Sequence, residues 1–214
     1  MNQANVHVIF GAGPLGRSVM NELVRRGEPV LMINRSGKIP EAPEGVKVIA
    51  GDAYDPGFVR QVAQNARVVY QCAQPAYAEW PQKFPALQAA IIDGLSGSRA
   101  KLVIGDNLYM YGAPKGQLLR EDLPYQAHTR KGRTRAAMAE AALAAHRDGK
   151  VRVTLGRGSD FFGPWVLGST MGARVFYPAL QGKTAQLTGR LDLPHTYTYI
   201  QDFGKALVIL GERD

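Results

Sequence analysis

A single cysteine, Cys72, in 214 residues excludes an internal disulfide, so nothing calls for an oxidising compartment. The four histidines are dispersed and form no Cys/His cluster, so no metal site is expected. No apolar run approaches the ~20 residues of a membrane-spanning helix. Met1–His7 is polar and leads directly into a strand-like run, without the pattern of a secretory signal. Repeats and low-complexity tracts are absent. With 45% hydrophobic and 21% charged residues, the composition excludes a disordered tail, a collagen-like rod and a disulfide-dense secreted module. The expected address is cytoplasmic. The length suits one full core, or one domain with an appendage.

What is present in excess is positive charge, +8 overall. Up to Asn107 there are 11 Lys and Arg against 9 Asp and Glu; beyond it there are 15 against 9. The densest point is Arg130, Lys131, Arg133 and Arg135. These four open an alanine-rich helix and do not form a long basic arm with interleaved aromatics. The expected partner is therefore an anionic small molecule, with nucleic acid as the weaker reading.

The first half alternates short β-branched runs with helical stretches. Val6–Phe10, Pro29–Asn34, Val46–Ala50, Arg67–Ala73, Lys101–Gly105 and Val151–Leu155 read as strands with little polar alternation, as when both faces are covered. Pro14–Arg26, Asp55–Asn65, Trp80–Leu95 and Lys131–Arg147 read as the intervening helices. Gly27 and Gly149 stand where two of them should end, and Asp55 where one should be capped. Strands separated regularly by helices predict an α/β fold, a doubly wound parallel sheet of the Rossmann type, over residues 1–164. After Pro164 the rhythm is lost. Val166–Leu180 is expected to be helical despite Gly168, Gly172 and Pro178, and Ala185–Tyr199 to be β-prone. A last helix, Asp202–Gly211, is expected with Asp202 as its cap. Residues 165–214 are read as the start of a small, truncated substrate lobe.

Gly11-Ala12-Gly13-Pro14-Leu15-Gly16 follows a buried-type strand and opens a helix, the context in which G-x-G-x-x-G signifies dinucleotide binding. Gly11 permits the tight turn, Gly13 lets the backbone approach a pyrophosphate, and Gly16 lets the helix pack on the strand. Free N–H groups at that helix start would face the phosphates. The alternative is a plain strand-to-helix turn. No acidic residue lies between Pro29 and Pro40; Asn34-Arg35-Ser36 stands where a carboxylate would grip the ribose of NAD. A guanidinium suits a 2′-phosphate, so NADP is the expected cofactor, with NAD the alternative. Asp52 and Ala53 are expected near the adenine, and Cys72, Ala73 and Gln74 near the ribose. Cys72 itself reads as a small buried hydrophobe, since no Lys, Arg or His stands beside it in sequence.

The order and spacing of Gly11–Gly16, Gly51-Asp52, Met110-Tyr111-Gly112, Arg157–Pro164 and Tyr199-Ile200-Gln201-Asp202 resemble the extended and atypical short-chain dehydrogenase/reductases, the NAD-dependent epimerase/dehydratase group. The resemblance covers nearly the whole chain. It implies a Tyr-x-x-x-Lys pair on a helix and a Ser or Thr after the fifth strand, the Tyr moving a proton with its pKa lowered by the Lys. Here those places fall on Lys131, Arg135 and Asn107, the last beside Asp106. The literal match Tyr111-Gly112-Ala113-Pro114-Lys115 is a decoy, because Gly and Pro prevent the helical turn that would align its ends. Lys131 beside Arg135 could act as general acid or base, with Asn107 orienting a carbonyl and Asp106 exchanging protons. Alternatively, Lys131 and Arg135 only grip ribose and phosphate. The resemblance also brings Asp160, Phe161 and His195 toward a substrate.

Two functions are thus expected: an NAD(P)-dependent oxidoreductase or epimerase acting on a small carbonyl, hydroxyl or sugar-type substrate, or a non-catalytic NADP-binding sensor. Trp80–Leu95 and Lys131–Arg147 would suit a homodimer bundle.

Overall fold

The computed structural model describes residues 6–114 and 116–213. Six strands, β1 (Val6–Phe10), β2 (Val30–Asn34), β3 (Val46–Ala50), β4 (Ala66–Gln71), β5 (Lys101–Asp106) and β6 (Arg152–Arg157), form one parallel sheet in the order β3-β2-β1-β4-β5-β6. The chain steps outward from β1 to β3, then returns to continue from β4 on the other side. The resulting switch point lies between β1 and β4, where such sheets bind ligands beyond their carboxyl ends.

Helices cover both faces. On one side lie α2 (Pro56–Ala63), α3 (Trp80–Leu95) and α4 (Arg130–Arg147), burying Val59, Leu87, Ile91, Met138 and Ala142 against Val8, Val69 and Leu102. Gln88 at the α3–α4 seam donates its amide to the Met138 carbonyl at 2.7 Å, a buried bond that fixes the two helices in register. On the other side lies α1 (Pro14–Arg25), whose apolar stripe Val19, Met20 and Leu23 fills the opposite core with Ile9, Met32 and Tyr70. Asp55 caps α2 by accepting from the Gly57 N–H at 2.8 Å, as its sequence position predicts. Gly27 and Gly149 adopt φ of 73° and 68° just past α1 and α4, conformations that Cβ disfavours.

The last third differs from the sequence reading in three ways. Helix α5 begins only at Ala173 and runs to Leu180, because Val166–Gly172 winds through turns at its glycines. Of the β-prone stretch only Tyr197–Tyr199 (β8) pairs, with a short β7 (Asp160–Phe162) as its parallel partner; the remainder has no sheet neighbour among the described residues. The final helix, α6, spans Ile200–Glu212, so Asp202 lies inside its first turn and does not cap it.

Helix α6 also belongs to the sheet's own layers. Phe203, Leu207 and Val208 are buried in the α1-side core. The contact with α1 is so close that a Cβ on Gly204 would stand 2.6 Å from that of Ser18. Arg26 ties the two helices by gripping both Glu22 at 2.7 Å and Glu212 at 2.6 Å. The hydrogen bonds from Arg25 and Arg26 hold the Glu22 carboxyl down at about 2. Lys101, reaching from β5, donates to the Leu210 carbonyl at 2.8 Å and to that of Arg213, satisfying the end of α6. The excursion from the sheet domain is thus residues 163–199.

Candidate active site: a cleft at the carboxyl ends of the strands

One cleft of about 2220 Å³ runs across the carboxyl ends of the sheet, touched by the segments that follow β1 to β6. Drug-sized ligands occupy pockets of about 300–1,000 Å³, so this volume suits a dinucleotide with a further ligand beside it.

The Gly11–Gly16 loop lines the cleft directly. Gly11 has φ of 105°, and a Cβ there would lie 2.5 Å from the Ala73 backbone N. At Gly16 a Cβ would strike the Gly11 carbonyl at 1.9 Å, so the helix can turn off the strand only with glycine. Gly13 is different: φ is −73° and nothing lies within 4 Å of a Cβ. Two glycines are needed by the turn itself, and the third leaves open space in front of the backbone. The start of α1 carries no capping side chain and no acidic residue in its first turn. Its N–H groups and positive dipole end therefore face a cleft that can accept an anion. Pro14 and Leu15 flank the opening, and Leu15 also packs against the core.

Beyond β2, the structure separates the three residues of the expected ribose site. Arg35 is exposed, lines the cleft and makes no hydrogen bond or ion pair among the described residues. Asn34 also borders the cleft but spends its side chain on the turn: its Oδ1 accepts from the Ser36 and Gly37 N–H groups, and its amide donates to the Lys38 carbonyl. Ser36 donates to that same Oδ1 and does not line the cleft. In this structure the Asn34 and Ser36 side chains hold together the loop that presents Arg35. Asp52 and Ala53 line the cleft after β3, with Asp52 accepting the Tyr54 N–H at 2.9 Å. Cys72, Ala73 and Gln74 line it after β4. Burial pushes the Cys72 thiol up, which disfavours the reactive thiolate.

Three of the four expected catalytic residues, Asp106, Asn107 and Arg135, meet on the cleft wall, and Lys131 does not line it. Asp106, at the end of β5, accepts from Arg135 Nε at 3.0 Å and from the same guanidinium's terminal nitrogen, and also from the Asn107 N–H at 2.8 Å. The two side chains are 3% and 2% exposed. Arg157 adds a second cation, its Nε 3.5 Å from Asp106 Oδ2, while its other nitrogens donate to the Tyr111 hydroxyl at 2.5 Å and to that of Tyr125. Asp106 and Arg135 both line the cleft and are bonded to each other there, so the guanidinium's Nε and one terminal nitrogen are already engaged. Lys131 lies one turn away on α4, but its ammonium rests 3.7 Å from the centre of the Tyr77 ring and does not line the cleft. It stands beside an aromatic face, not beside an uncompensated like charge. Asn107 does line the cleft, with its Oδ1 accepting the Tyr109 N–H at 3.1 Å. Of the decoy pair, Tyr111 is a buried partner of Arg157, and Lys115 lies outside the described residues.

The three expected substrate residues converge. Asp160 Oδ2 and His195 Nε2 are 2.9 Å apart, and both line the cleft. Phe161 also lines it, with its ring 4.9 Å from that of Phe203 on α6.

Sequence reasoning missed two groups. Tyr77 and Tyr109 share a 3.3 Å hydroxyl contact on the cleft wall, and burial with that contact pushes the Tyr109 phenol well above its ordinary value. Gln71 and Trp80 line the floor with their side-chain polar atoms buried and unpaired among the described residues. A glutamine ending an otherwise apolar strand is a signal that could have been read. The tyrosines come from loops that no periodicity marks. Among the described residues no group of three or more His, Cys, Asp or Glu could hold a metal ion. No helix among them is long and apolar enough to cross a membrane.

A six-stranded 3-2-1-4-5-6 sheet with a glycine cradle at its switch point defines a Rossmann-type nucleotide-binding protein of the short-chain dehydrogenase/reductase kind. The chain belongs to the NAD dependent epimerase/dehydratase family, whose pattern matches residues 7–214. The fold is that of UDP-N-acetylglucosamine 4-epimerase from Methanobrevibacter ruminantium M1, solved with UDP-N-acetylmuramic acid (TM-score 0.84, 17% identity, covering 100% of this chain and 74% of that one). It is equally similar to dTDP-glucose 4,6-dehydratase from Bacillus anthracis, solved with NAD (TM-score 0.84, 17% identity, 98% and 72%). UDP-N-acetylglucosamine 4-epimerase from Bacillus cereus gives a TM-score of 0.83 at 13% identity, over 97% and 72% of the two chains. Comparison with curated proteins gave no match.

Proposed function

We propose that this protein is an NAD(P)-dependent oxidoreductase of the epimerase/dehydratase type, acting on a small carbonyl, hydroxyl or sugar-type substrate held beside the dinucleotide. The observation that carries this is the Gly13 gap, where uncapped N–H groups of α1 open into a cleft too large for one small ligand. The pyrophosphate would lie over Gly11, Gly13, Pro14, Leu15 and Gly16, the adenine near Asp52 and Ala53, and the ribose near Ala73 and Gln74. A bound nicotinamide supplies or accepts a hydride. The protein's own part is to hold the substrate carbon against it, exclude water and manage the accompanying proton.

NADP is the favoured form. The unpartnered Arg35 guanidinium at the end of β2 can form paired bonds to a 2′-phosphate, and no carboxylate lies nearby in sequence to hold the free hydroxyls of NAD. Several solved relatives are described in complex with NAD, so this preference is a property proposed for this chain alone. Fluorescence titration with NADPH and NADH tests both statements. Binding of NADPH at sub-millimolar concentration, weakened at least tenfold by Arg35→Asp while NADH is unaffected, is the expected result. Equal weakening of both cofactors contradicts the Arg35 assignment, and binding of neither contradicts the function.

A sensor that binds NADP without turnover is the second reading. It is favoured by one observation, the commitment of Asp106 and Arg135 to each other. Turnover with any carbonyl substrate excludes it.

A further inference from the structure

We infer that His195, held by Asp160, is the proton-exchanging group of this cleft, taking the task that relatives give to a tyrosine. The inference rests on the cofactor reading above and adds a residue to it. Of the four histidines, His7 is buried against Tyr70 on the far side of the sheet, His146 accepts the Val153 N–H at 3.2 Å, and exposed His128 lies outside the cleft. Only His195 lines the cleft. Imidazole is the side chain most often used as a general acid or base.

The surroundings are built to hold it. Asp160 belongs to β7 and faces Tyr197 across the β7–β8 register. Ser159 clips the two strands together, its hydroxyl 2.7 Å from that of Thr198. Phe161 anchors β7 to the core through Phe203. The His195 ring packs on Tyr197 at 4.6 Å, which together with the Asp160 bond fixes its plane. The charged and titratable groups around the pair are Asp160 from β7, Tyr197 from β8 and the Tyr109 phenol, which senses the Asp160 charge. Arg190 and Asp192, on the loop that carries His195, neutralise each other.

With Nε2 engaged by Asp160, Nδ1 is the atom left to serve a ligand. A bound dinucleotide would supply the hydride to a carbonyl carbon; the protein's part would be to give the His195 Nδ1 proton to the carbonyl oxygen as it gains the electron pair. The imidazole becomes neutral, and the half-exposed ring is reprotonated from water. In the oxidising direction neutral Nδ1 takes the hydroxyl proton as hydride leaves the carbon. Asp160 stabilises the imidazolium in both directions.

The test compares wild type, His195→Gln and Asp160→Asn. Diethyl pyrocarbonate labelling, mapped by mass spectrometry with and without saturating NADP, reads the placement. His195 is expected to be protected at least tenfold while His128 reacts unchanged. Reduction of 4-nitrobenzaldehyde by NADPH reads the role. His195→Gln is expected to keep NADPH affinity within about twofold and to lose turnover by about 100-fold or more, the usual scale of general acid–base catalysis. Asp160→Asn is expected to lose less. NADP binding without protection of His195 overturns the inference alone, as does turnover by His195→Gln within threefold of wild type. Failure to bind NADP overturns the cofactor reading and this inference with it.

Discussion

The Arg135 guanidinium closes on the Asp106 carboxylate at the buried foot of the cleft, joining α4 to the end of β5 across 29 residues of sequence. Removing one partner strands the other charge away from water, at a cost of about 3–5 kcal/mol. Asp106→Leu and Arg135→Met are each expected to lose that much in urea unfolding, and the double variant less than either single one. An Asp106→Leu protein of wild-type stability would show that the pair is not a structural tie.

The glycine loop offers a sharper contrast. Gly16→Ala drives a methyl into the Gly11 carbonyl and is expected to lower the melting temperature steeply or prevent folding. Gly13→Ala has room and ordinary backbone angles, so it is expected to fold with a loss of about 1 kcal/mol, as for an alanine at a helix N-cap. The same methyl would enter the open space where the proposed function puts the pyrophosphate. NADPH affinity in Gly13→Ala should therefore fall at least tenfold, and unchanged affinity would return the loop to a plain turn.

His7 is fully buried, and desolvation lowers its titration below the ordinary 6.5. Folding thus favours the neutral ring. The unfolded chain binds the extra proton between the depressed value and 6.5, so the stabilisation is complete above about 6.5 and is lost as pH falls through that window. Urea midpoints measured from pH 5 to pH 8 should rise with pH and then level off. His7→Gln should flatten the rise; an unaltered slope would assign it to other groups.

The sheet was legible because each strand is a near-continuous apolar run bounded by helix caps and glycines, which only a doubly covered parallel sheet requires. The cradle was legible because Gly11 and Gly16 are needed for local steric reasons. The catalytic assignment was not, because a charge beside a cleft and a charge in a buried ion pair look alike in one sequence. Asp106 and Arg135 both line the cleft, yet their bond to each other depends on how α4 lies over β5. Asp160 and His195 were singled out separately, and nothing in the spacing predicts that they meet. The sequence predicts a last helix at Asp202–Gly211 without saying which layer it joins. That depends on Gly204 against Ser18, a contact visible only once both helices are docked.

Residues 163–199 leave from the end of β7 and come back at β8, two strands lying side by side and riveted to the core by Phe161 and Phe203. A detour moored at both ends on one small raft keeps its chain ends fixed beside the cleft, so changes of length or sequence between them are expected to leave the strand order intact. Under the proposed function, selectivity for a second ligand would sit in that detour, apart from the glycine loop that would hold the nucleotide.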